Sequence, residues 1–108
     1  MMPSLYFLEV SMPKENKFQA DLIKELKSIF PGCIVLKNDA NYKQGIPDLT
    51  IFYNNKWAVL ECKKDAKAKY RPNQKYYIDK MNEMSFARAI YPENKQEVLN
   101  ELQQAFRP

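Results

Sequence analysis

Two periods of apolar and polar positions alternate along this chain, and they predict its helices and strands. Apolar side chains recur every three or four positions between residues 13 and 30, which is the spacing of an amphipathic helix. Pro31 and Gly32 end that pattern. Three apolar runs rich in β-branched and aromatic residues then predict strands at residues 33–36, 49–53 and 57–62.

The rest of the chain continues with helix, strand and helix. Pro72 suits the first turn of a second helix. The side chains that we expect to face inward from it are Tyr76, Tyr77 and Met81. Residues 86–91 predict a fourth strand, and Asn94 with Glu97 resembles a capping box at the start of a last helix. The predicted order is therefore α-β-β-β-α-β-α, which is the order of an α/β domain.

The length of 108 residues suffices for one hydrophobic core, so we expect one domain. We assign residues 12–108 to this domain and residues 1–11 to an N-terminal extension, with a candidate edge strand over residues 5–10. No apolar stretch approaches the roughly 20 residues that span a bilayer, so we expect no membrane partner. Cys33 and Cys62 have no disulfide or zinc spacing and suit buried positions. A reducing, intracellular setting, the cytoplasm, is the expected location.

The second and third predicted strands are separated by a short polar segment with the character of a hairpin turn. Asn54 and Asn55 suit a two-residue turn because asparagine tolerates positive φ angles. In such a hairpin, residues equally distant from the turn face each other across the two strands. Asp48 lies six residues before Asn54, and Glu61 lies six residues after Asn55. The two carboxylates are therefore expected to be directly opposed.

Opposed like charges destabilise a hairpin, so this pair requires a compensating positive charge. Lys63 lies two residues beyond Glu61 and shares its face, whereas Cys62 projects from the other face. Two converging carboxylates with an ammonium group beside them suit a small, hard divalent cation. A cross-strand salt-bridge cluster without catalytic function is the alternative interpretation.

Composition narrows the chemistry that such a site can perform. The chain has no histidine, which excludes Ser-His-Asp catalysis, Cys-His catalysis and every histidine-ligated metal site. Residues 63–75, here called the basic segment, contain six lysines and arginines and one aspartate. The basic segment thus carries a formal charge of +5, whereas the whole chain carries +4. A positive patch beside the carboxylates is expected for a polyanionic substrate, and a solvated loop without a partner is the alternative.

The string Pro-Asp at residues 47–48, with Glu-Cys-Lys one hairpin later at residues 61–63, resembles the PD-(D/E)XK nuclease superfamily. The chain looks most like its small stand-alone VRR-NUC and Holliday-junction-resolvase-like nucleases of phages and bacteria, over roughly residues 12–106. The resemblance implies a restriction-endonuclease-like domain with a mixed central sheet flanked by helices. Two further positions match the family: Glu15 in the first helix and Gln74 at the start of the helix after the Glu-Cys-Lys strand.

The resemblance also implies a role for each residue of the central string. Asp48 and Glu61 would ligate Mg²⁺ or Mn²⁺, together with the backbone carbonyl of Cys62. Such a metal activates a bound water and neutralises charge on the scissile phosphate. Lys63 would position the attacking water or stabilise the pentacovalent phosphate.

The two flanking matches carry implied roles with open alternatives. Glu15 would reach the metal through a water or hold a second ion, but an acidic residue in a first helical turn also favours the helix dipole. Gln19, one turn later, is the alternative to Glu15. Gln74 would orient Lys63 or the phosphate, although polar residues are common near helix starts.

The implied function is a magnesium-dependent DNA endonuclease that hydrolyses phosphodiester bonds, with branched DNA as the expected substrate and recombination or repair as the expected setting. A homodimer is implied only if the enzyme cuts both strands of a four-way junction. The alternatives are a monomeric nuclease for flaps, nicks or single strands, a non-catalytic nucleic-acid-binding module, and a structural protein of a viral particle or complex. The residues expected to contact nucleic acid are Lys64, Lys67, Lys69, Arg71, Lys75, Lys43 and Tyr42, with Tyr70 a further candidate.

Overall fold

The computed structural model describes residues 14–108, which form three helices and four strands. The helices are α1 (Lys14–Ile29), α2 (Gln74–Met84) and α3 (Lys95–Ala105). The strands are β1 (Ile34–Lys37), β2 (Leu49–Tyr53), β3 (Lys56–Cys62) and β4 (Phe86–Ile90). This confirms the predicted order α-β-β-β-α-β-α. The predicted extension over residues 1–11, with its candidate edge strand, lies outside the described residues.

The four strands form one mixed sheet in the order β1-β2-β3-β4. The pairs β1–β2 and β2–β3 are antiparallel, and the pair β3–β4 is parallel. Antiparallel neighbours can be joined by a short turn, but parallel neighbours require a crossover, and α2 lies in that connection. The chain is thus an α/β fold with a mixed sheet. None of the helices within residues 14–108 is long and apolar enough to cross a membrane.

α1 and α3 cover one face of the sheet and enclose the hydrophobic core. The apolar stripe of α1 contributes Leu22 and Leu26, and the stripe of α3 contributes Leu99 and Leu102. Alternate strand residues meet these helices because successive side chains of a strand point to opposite faces. The strand residues in the core are Leu49, Ile51, Ala58, Leu60, Cys62, Phe86 and Ile90. The helical and strand periods of the sequence therefore converge on one core.

α2 contacts β3 and β4 from the other face, above the buried Val59 and Ala87. Of the three α2 side chains predicted to face inward, Tyr77 and Met81 are half-buried. The prediction is wrong for Tyr76, which is 60% exposed. Adjacent helical residues point in different directions, so only one of the two tyrosines can face the sheet. The Tyr76 ring instead packs edge-on against Tyr77, with 5.1 Å between centroids.

Asn94 is the N-cap residue of α3, as predicted, but its side chain makes no capping bond to the helix. Its Oδ1 accepts a hydrogen bond from the Tyr91 amide at 2.8 Å, and its Nδ2 donates to the Ala89 carbonyl at 3.1 Å. The predicted capping box with Glu97 is therefore wrong. The side chain of Asn94 connects the end of β4 to the start of α3 instead.

Cys33 and Cys62 are not joined by a disulfide, as the sequence predicts. Cys62 is fully buried in the core, whereas Cys33 is half-buried between α1 and β1. Burial raises the pKa of the Cys33 thiol. Its Sγ lies 3.8 Å from the Leu26 carbonyl, to which it donates a weak hydrogen bond. Both residues therefore serve packing, as small apolar side chains do.

Candidate active site

The β2–β3 hairpin has the register that the asparagine turn predicts. Asn54 adopts a φ of 56°, and Leu49 pairs with Leu60 at the other end of the ladder. One more step along this register places Asp48 opposite Glu61. Both side chains project from the face of the sheet that is opposite the α1–α3 core.

Pro47 ends this ladder and shapes the site. A further step along the register places it opposite Cys62, and proline has no amide hydrogen with which to continue the pairing. The Cys62 amide donates instead to Oδ2 of Asp48 at 2.9 Å. The amide and carbonyl of one strand residue point to the same neighbouring strand, so the Cys62 carbonyl faces the same side as Asp48. A charge-assisted bond thus fixes the Asp48 carboxylate beside that carbonyl.

Glu61 is only 2% exposed, although it carries a carboxylate. Its Oε1 accepts a hydrogen bond from the Asp48 amide at 3.2 Å, and its Oε2 accepts one from Nε2 of Gln74 at 2.7 Å. The Lys63 ammonium lies 3.7 Å from Oε2. Burying a carboxylate is unfavourable unless it is paired and hydrogen-bonded, and these partners meet that requirement.

Gln74, the first residue of α2, connects the acidic and the basic groups of the site. Its Nε2 donates to Glu61, while its Oε1 accepts from Nζ of Lys63 at 2.6 Å and from the Arg71 amide at 2.7 Å. Only this amide orientation is possible, because a carboxylate only accepts and an ammonium only donates. Gln74 is 7% exposed. It therefore holds Glu61 and Lys63 in a fixed relation.

Lys63 follows β3 and is 5% exposed. Besides its bond to Gln74, Nζ donates to the Lys69 carbonyl at 3.1 Å. The Tyr70 ring lies over the ammonium, with 5.2 Å from Nζ to the centroid. A ring face attracts a cation electrostatically, so the ring and the carbonyl together hold the ammonium group in place.

A cavity of about 220 Å³ is lined by the four side chains described above: Asp48, Glu61, Lys63 and Gln74. It lies between the β1–β2 loop (residues 38–48) and the β3–α2 loop (residues 63–73). Sites for drug-sized ligands occupy about 300–1,000 Å³, so this cavity suits an ion, water and one phosphate group. A wider groove of about 490 Å³ near the end of α3 is lined by no acidic side chain.

The two loops that enclose the cavity touch at Gly45. This glycine has a φ of 89°, and a Cβ added to it would lie 2.6 Å from Cβ of Asn73 and 2.9 Å from the Pro72 carbonyl oxygen. Side chains avoid both that φ and those distances. Asn73 also has a positive φ, of 71°. Gly45 thus allows a backbone approach that fixes the separation of the two loops.

Asn38, at the start of the β1–β2 loop, is a residue whose role the sequence does not reveal. Its amide donates to the Asp48 carbonyl at 2.8 Å. Its Nδ2 donates to the Pro47 carbonyl at 2.9 Å and to Oγ1 of Thr50 at 2.8 Å. These bonds hold the backbone on both sides of the Asp48 side chain. No motif signals this role, since it depends on the register between β1 and β2.

The ligand atoms of the cavity suit a cation. Its lining has two carboxylates, the Lys63 ammonium and the Arg71 guanidinium, so the formal charges balance, and the carboxylate oxygens are hard ligands. Within residues 14–108 there is no cluster of three or more Asp, Glu, Cys or His side chains that could hold a metal. Magnesium commonly binds through one or two carboxylates, with water and substrate phosphate completing its coordination. The donor set of Asp48, Glu61 and the Cys62 carbonyl therefore fits such an ion.

The first helix leaves two predicted positions to consider. Glu15 lies in the first turn of α1, but its side chain is outside the described part of the chain, so its role stays a prediction. Gln19 is half-buried one turn later. It is not among the residues that line the cavity, so the described contacts give it no part in the site.

The predicted nucleic-acid-binding residues lie on the two loops and the start of α2. The exposed side chains of the basic segment are Lys64, Lys67, Lys69, Arg71 and Lys75. The β3–α2 loop forms an open concavity of about 500 Å³ that adjoins Lys63. On the other loop, Tyr42 is 89% exposed, and Nζ of Lys43 lies 5.7 Å from the Tyr77 ring centroid. Cationic side chains thus flank the cavity that holds Asp48 and Glu61.

Comparisons with family models, with curated proteins and with solved structures gave no match to this chain. Assignment of its chemistry therefore depends on the geometry of the Asp48–Glu61–Lys63–Gln74 cavity and on the residue pattern that resembles the PD-(D/E)XK nucleases.

Proposed function

We propose that this protein is a metal-dependent DNA endonuclease that hydrolyses phosphodiester bonds in the cavity between the β1–β2 and β3–α2 loops. The observation that carries the proposal is the hydrogen-bonded set of Asp48, Glu61, Gln74 and Lys63, in which buried acidic and basic groups converge on one cavity. A salt-bridge cluster with a purely structural role has no need of a cavity or of a flanking cationic loop.

The carboxylates provide the cation site in this proposal. Asp48 and Glu61 would hold Mg²⁺ or Mn²⁺, with the Cys62 carbonyl as a further oxygen ligand. When bound, the ion lowers the pKa of a coordinated water and neutralises charge on the phosphate. The Cys62 amide and the Gln74 amide group orient the two carboxylates before any ion binds.

Lys63 supplies the positive charge for the phosphate. The oxygen of water bonds to phosphorus, one P–O ester bond breaks, and the departing oxygen takes up a proton, which leaves a phosphate monoester and a hydroxyl end. Negative charge accumulates on the phosphoryl oxygens during this step, and a preorganised ammonium group stabilises it. The Lys69 carbonyl and Gln74 hold Nζ in place, so little reorganisation is needed.

The basic segment supports DNA as the substrate. Its exposed lysines and arginine lie beside the cavity, where they can neutralise phosphates on either side of the cleaved bond. The described loops present no helix suited to a groove, so we expect readout of backbone and shape rather than base sequence. A restriction-endonuclease-like identity of the fold and a preference for branched DNA are part of the proposal.

A cleavage assay tests the proposal directly. Labelled four-way junction, flap, single strand and linear duplex are incubated with the protein in Mg²⁺, in Mn²⁺ and in chelator, and the products are separated on denaturing gels. We expect cleavage of at least one substrate with either metal and none in chelator. The matched variant is Lys63→Ala, which should retain metal binding and lose cleavage, because the lysine acts on the transition state.

Three results distinguish the alternatives. Binding of DNA without cleavage under every condition would support a non-catalytic module. Cleavage of flaps or single strands by a monomer, without junction cutting, would support the monomeric nuclease. Full activity of Lys63→Ala would exclude the lysine from the reaction and contradict the site proposed here.

A further inference from the structure

Three exposed tyrosines lie on the segments that border the candidate active site. Tyr42 lies in the β1–β2 loop, Tyr70 in the β3–α2 loop and Tyr76 in the first turn of α2. Their exposed fractions are 89%, 47% and 60%. Side chains with this exposure leave much of their aromatic surface available for contact with a ligand. Aromatic and cationic residues interleaved on one surface are typical of single-stranded nucleic-acid binding.

Tyr70 contacts a residue of the candidate active site directly. Its ring lies 5.2 Å from Nζ of Lys63, and the same loop carries the Lys69 carbonyl to which that ammonium donates. About half of the Tyr70 side chain remains exposed. A base stacked on its outer surface would therefore belong to a nucleotide close to the phosphate that Lys63 contacts.

The burial of the reactive groups also favours single-stranded DNA over duplex DNA as the substrate. Glu61, Lys63 and Gln74 are each less than one-tenth exposed, and the loops above them are in contact at Gly45 and Asn73. A phosphate must enter the 220 Å³ cavity to come close to Glu61 and Gln74, whereas Lys63 also borders the open concavity of the β3–α2 loop. The backbone of a continuous duplex is held in a regular helix, whereas an unpaired strand can bend locally and turn its bases outward.

We propose that the nuclease binds DNA with unpaired nucleotides at the cleavage position and that the Tyr70 ring, together with Tyr42 of the β1–β2 loop, stacks on the exposed bases. This inference rests on the proposed function and specifies its substrate as single strands or the single-stranded arms of branched DNA. The positive charge of the basic segment complements the phosphates of such a strand. Tyr76 extends the aromatic surface along α2, supported by its edge contact with Tyr77.

Equilibrium binding separates this inference from the catalytic proposal. Fluorescence anisotropy is measured in chelator with a labelled oligo-dT strand and with a labelled duplex of equal length. The parent protein should bind the single strand more tightly than the duplex. Tyr70→Leu should weaken single-strand binding by about 5- to 150-fold, which corresponds to about 1–3 kcal/mol for one stacked base, and should leave duplex binding nearly unchanged.

Two variants serve as controls. Tyr70→Phe keeps the ring and should bind the single strand as the parent does. Phe52→Leu removes an exposed aromatic ring near the turn of the β2–β3 hairpin and should affect neither ligand. Circular dichroism of each variant checks that the fold is retained, and Tyr42→Leu provides a second test if Tyr70→Leu does not fold.

Each outcome decides the inference. Equal weakening of single-strand and duplex binding by Tyr70→Leu, or no effect on either, overturns it while metal-dependent cleavage can still stand. Preference of the parent for duplex overturns it as well. Failure of the parent to cleave any DNA, with selective single-strand binding retained, contradicts the nuclease proposal but supports the stacking surface.

Discussion

Gln74 donates a hydrogen bond of 2.7 Å from Nε2 to Oε2 of Glu61, and its Oε1 simultaneously accepts one from the Lys63 ammonium. One neutral side chain thus contacts both the group that would bind a metal and the group that would stabilise the phosphate. A flip of its amide would place Nε2 against the Lys63 ammonium, donor against donor, and Oε1 against the Glu61 carboxylate, acceptor against acceptor. The separation of the acidic and basic groups is therefore set by the first residue of α2.

Gln74→Leu should lower both stability and cleavage. Loss of the amide leaves the buried Glu61 without one donor, so we expect the free energy of unfolding to fall by about 1–3 kcal/mol in urea melts. Cleavage should fall further than stability explains, since the Lys63 ammonium loses one of its two hydrogen-bond acceptors. Gln103→Leu on the exposed surface of α3 is the matched control. Equal stability of the two variants would show that the hydrogen bonds contribute nothing.

Asp48→Asn should change stability in opposite directions with and without metal. Two carboxylates about 5 Å apart repel by roughly 3 kcal/mol at an effective dielectric of about 20, and Lys63 offsets part of this. Removal of one charge should stabilise the metal-free protein by about 1 kcal/mol, because asparagine can still accept from the Cys62 amide. In saturating Mg²⁺ the parent should become the more stable protein, because only it gains binding energy.

The measurement for Asp48→Asn is a pair of thermal melts, one in chelator and one in excess Mg²⁺. Asp21→Asn removes an exposed carboxylate on α1. Its effect on the melting temperature, relative to the parent, should be the same in chelator and in Mg²⁺. A parent melt that is insensitive to metal, together with a destabilised Asp48→Asn in chelator, would favour the salt-bridge interpretation.

Asn38→Asp should impair the site although the two side chains have the same shape. A carboxylate cannot donate to the Pro47 carbonyl or to Oγ1 of Thr50, so the backbone around Asp48 loses its support. We expect a loss of about 1–2 kcal/mol in unfolding free energy and a lower kcat with little change in KM. Asn41→Asp adds the same charge to an exposed position of the same loop and serves as control. Identical kinetics of the two variants would exclude a positioning role.

Gly45→Ala and Gly32→Ala together separate backbone strain from steric contact. Both glycines have positive φ, of 89° and 86°, but a Cβ at Gly32 meets nothing within 4 Å. The free energy of unfolding of Gly32→Ala should therefore fall by about 1 kcal/mol, because alanine disfavours this φ angle. Gly45→Ala must in addition displace Asn73, so it should be the less stable variant and should lose cleavage. Equal urea midpoints would show that the loop contact is not rigid.

Lys67→Ala combined with Lys69→Ala should reduce the salt dependence of DNA binding. Removing one cation from a phosphate lowers the slope of log K against log salt by about 0.9 on duplex and about 0.7 on single strands. The backbone carbonyl of Lys69 remains available to Lys63, so the site itself is preserved. Lys24→Ala with Lys27→Ala removes equal charge from exposed positions of α1. A slope unchanged from that of the parent would place the phosphate-binding cations elsewhere.

The parts of the site that the sequence predicts are those governed by local rules. The asparagine turn determines the pairing of β2 with β3, so the opposition of Asp48 and Glu61 follows from residue spacing alone. Strand alternation likewise predicts that Lys63 shares the face of Glu61. The order of the helices and strands follows from the spacing of apolar residues, which is also a local property of the sequence.

The remaining features depend on contacts between segments that are distant in the chain. The double role of Gln74 requires the position of α2 over β3, and the role of Asn38 requires the β1–β2 register. The need for glycine at residue 45 arises from the approach of Asn73, 28 residues later. Local pattern favours Asn94 as a side-chain cap of α3, but tertiary contacts with the end of β4 compete successfully for that side chain.

Cys62 separates two environments within a single strand. Its side chain is fully buried in the core, while Glu61 and Lys63 on either side face the cavity. The docking of the sheet on α1 and α3 that buries Cys62 therefore also sets the positions of the two residues beside it. A partly unfolded chain would lack the arrangement of Glu61, Lys63 and Gln74 on which the proposed chemistry depends.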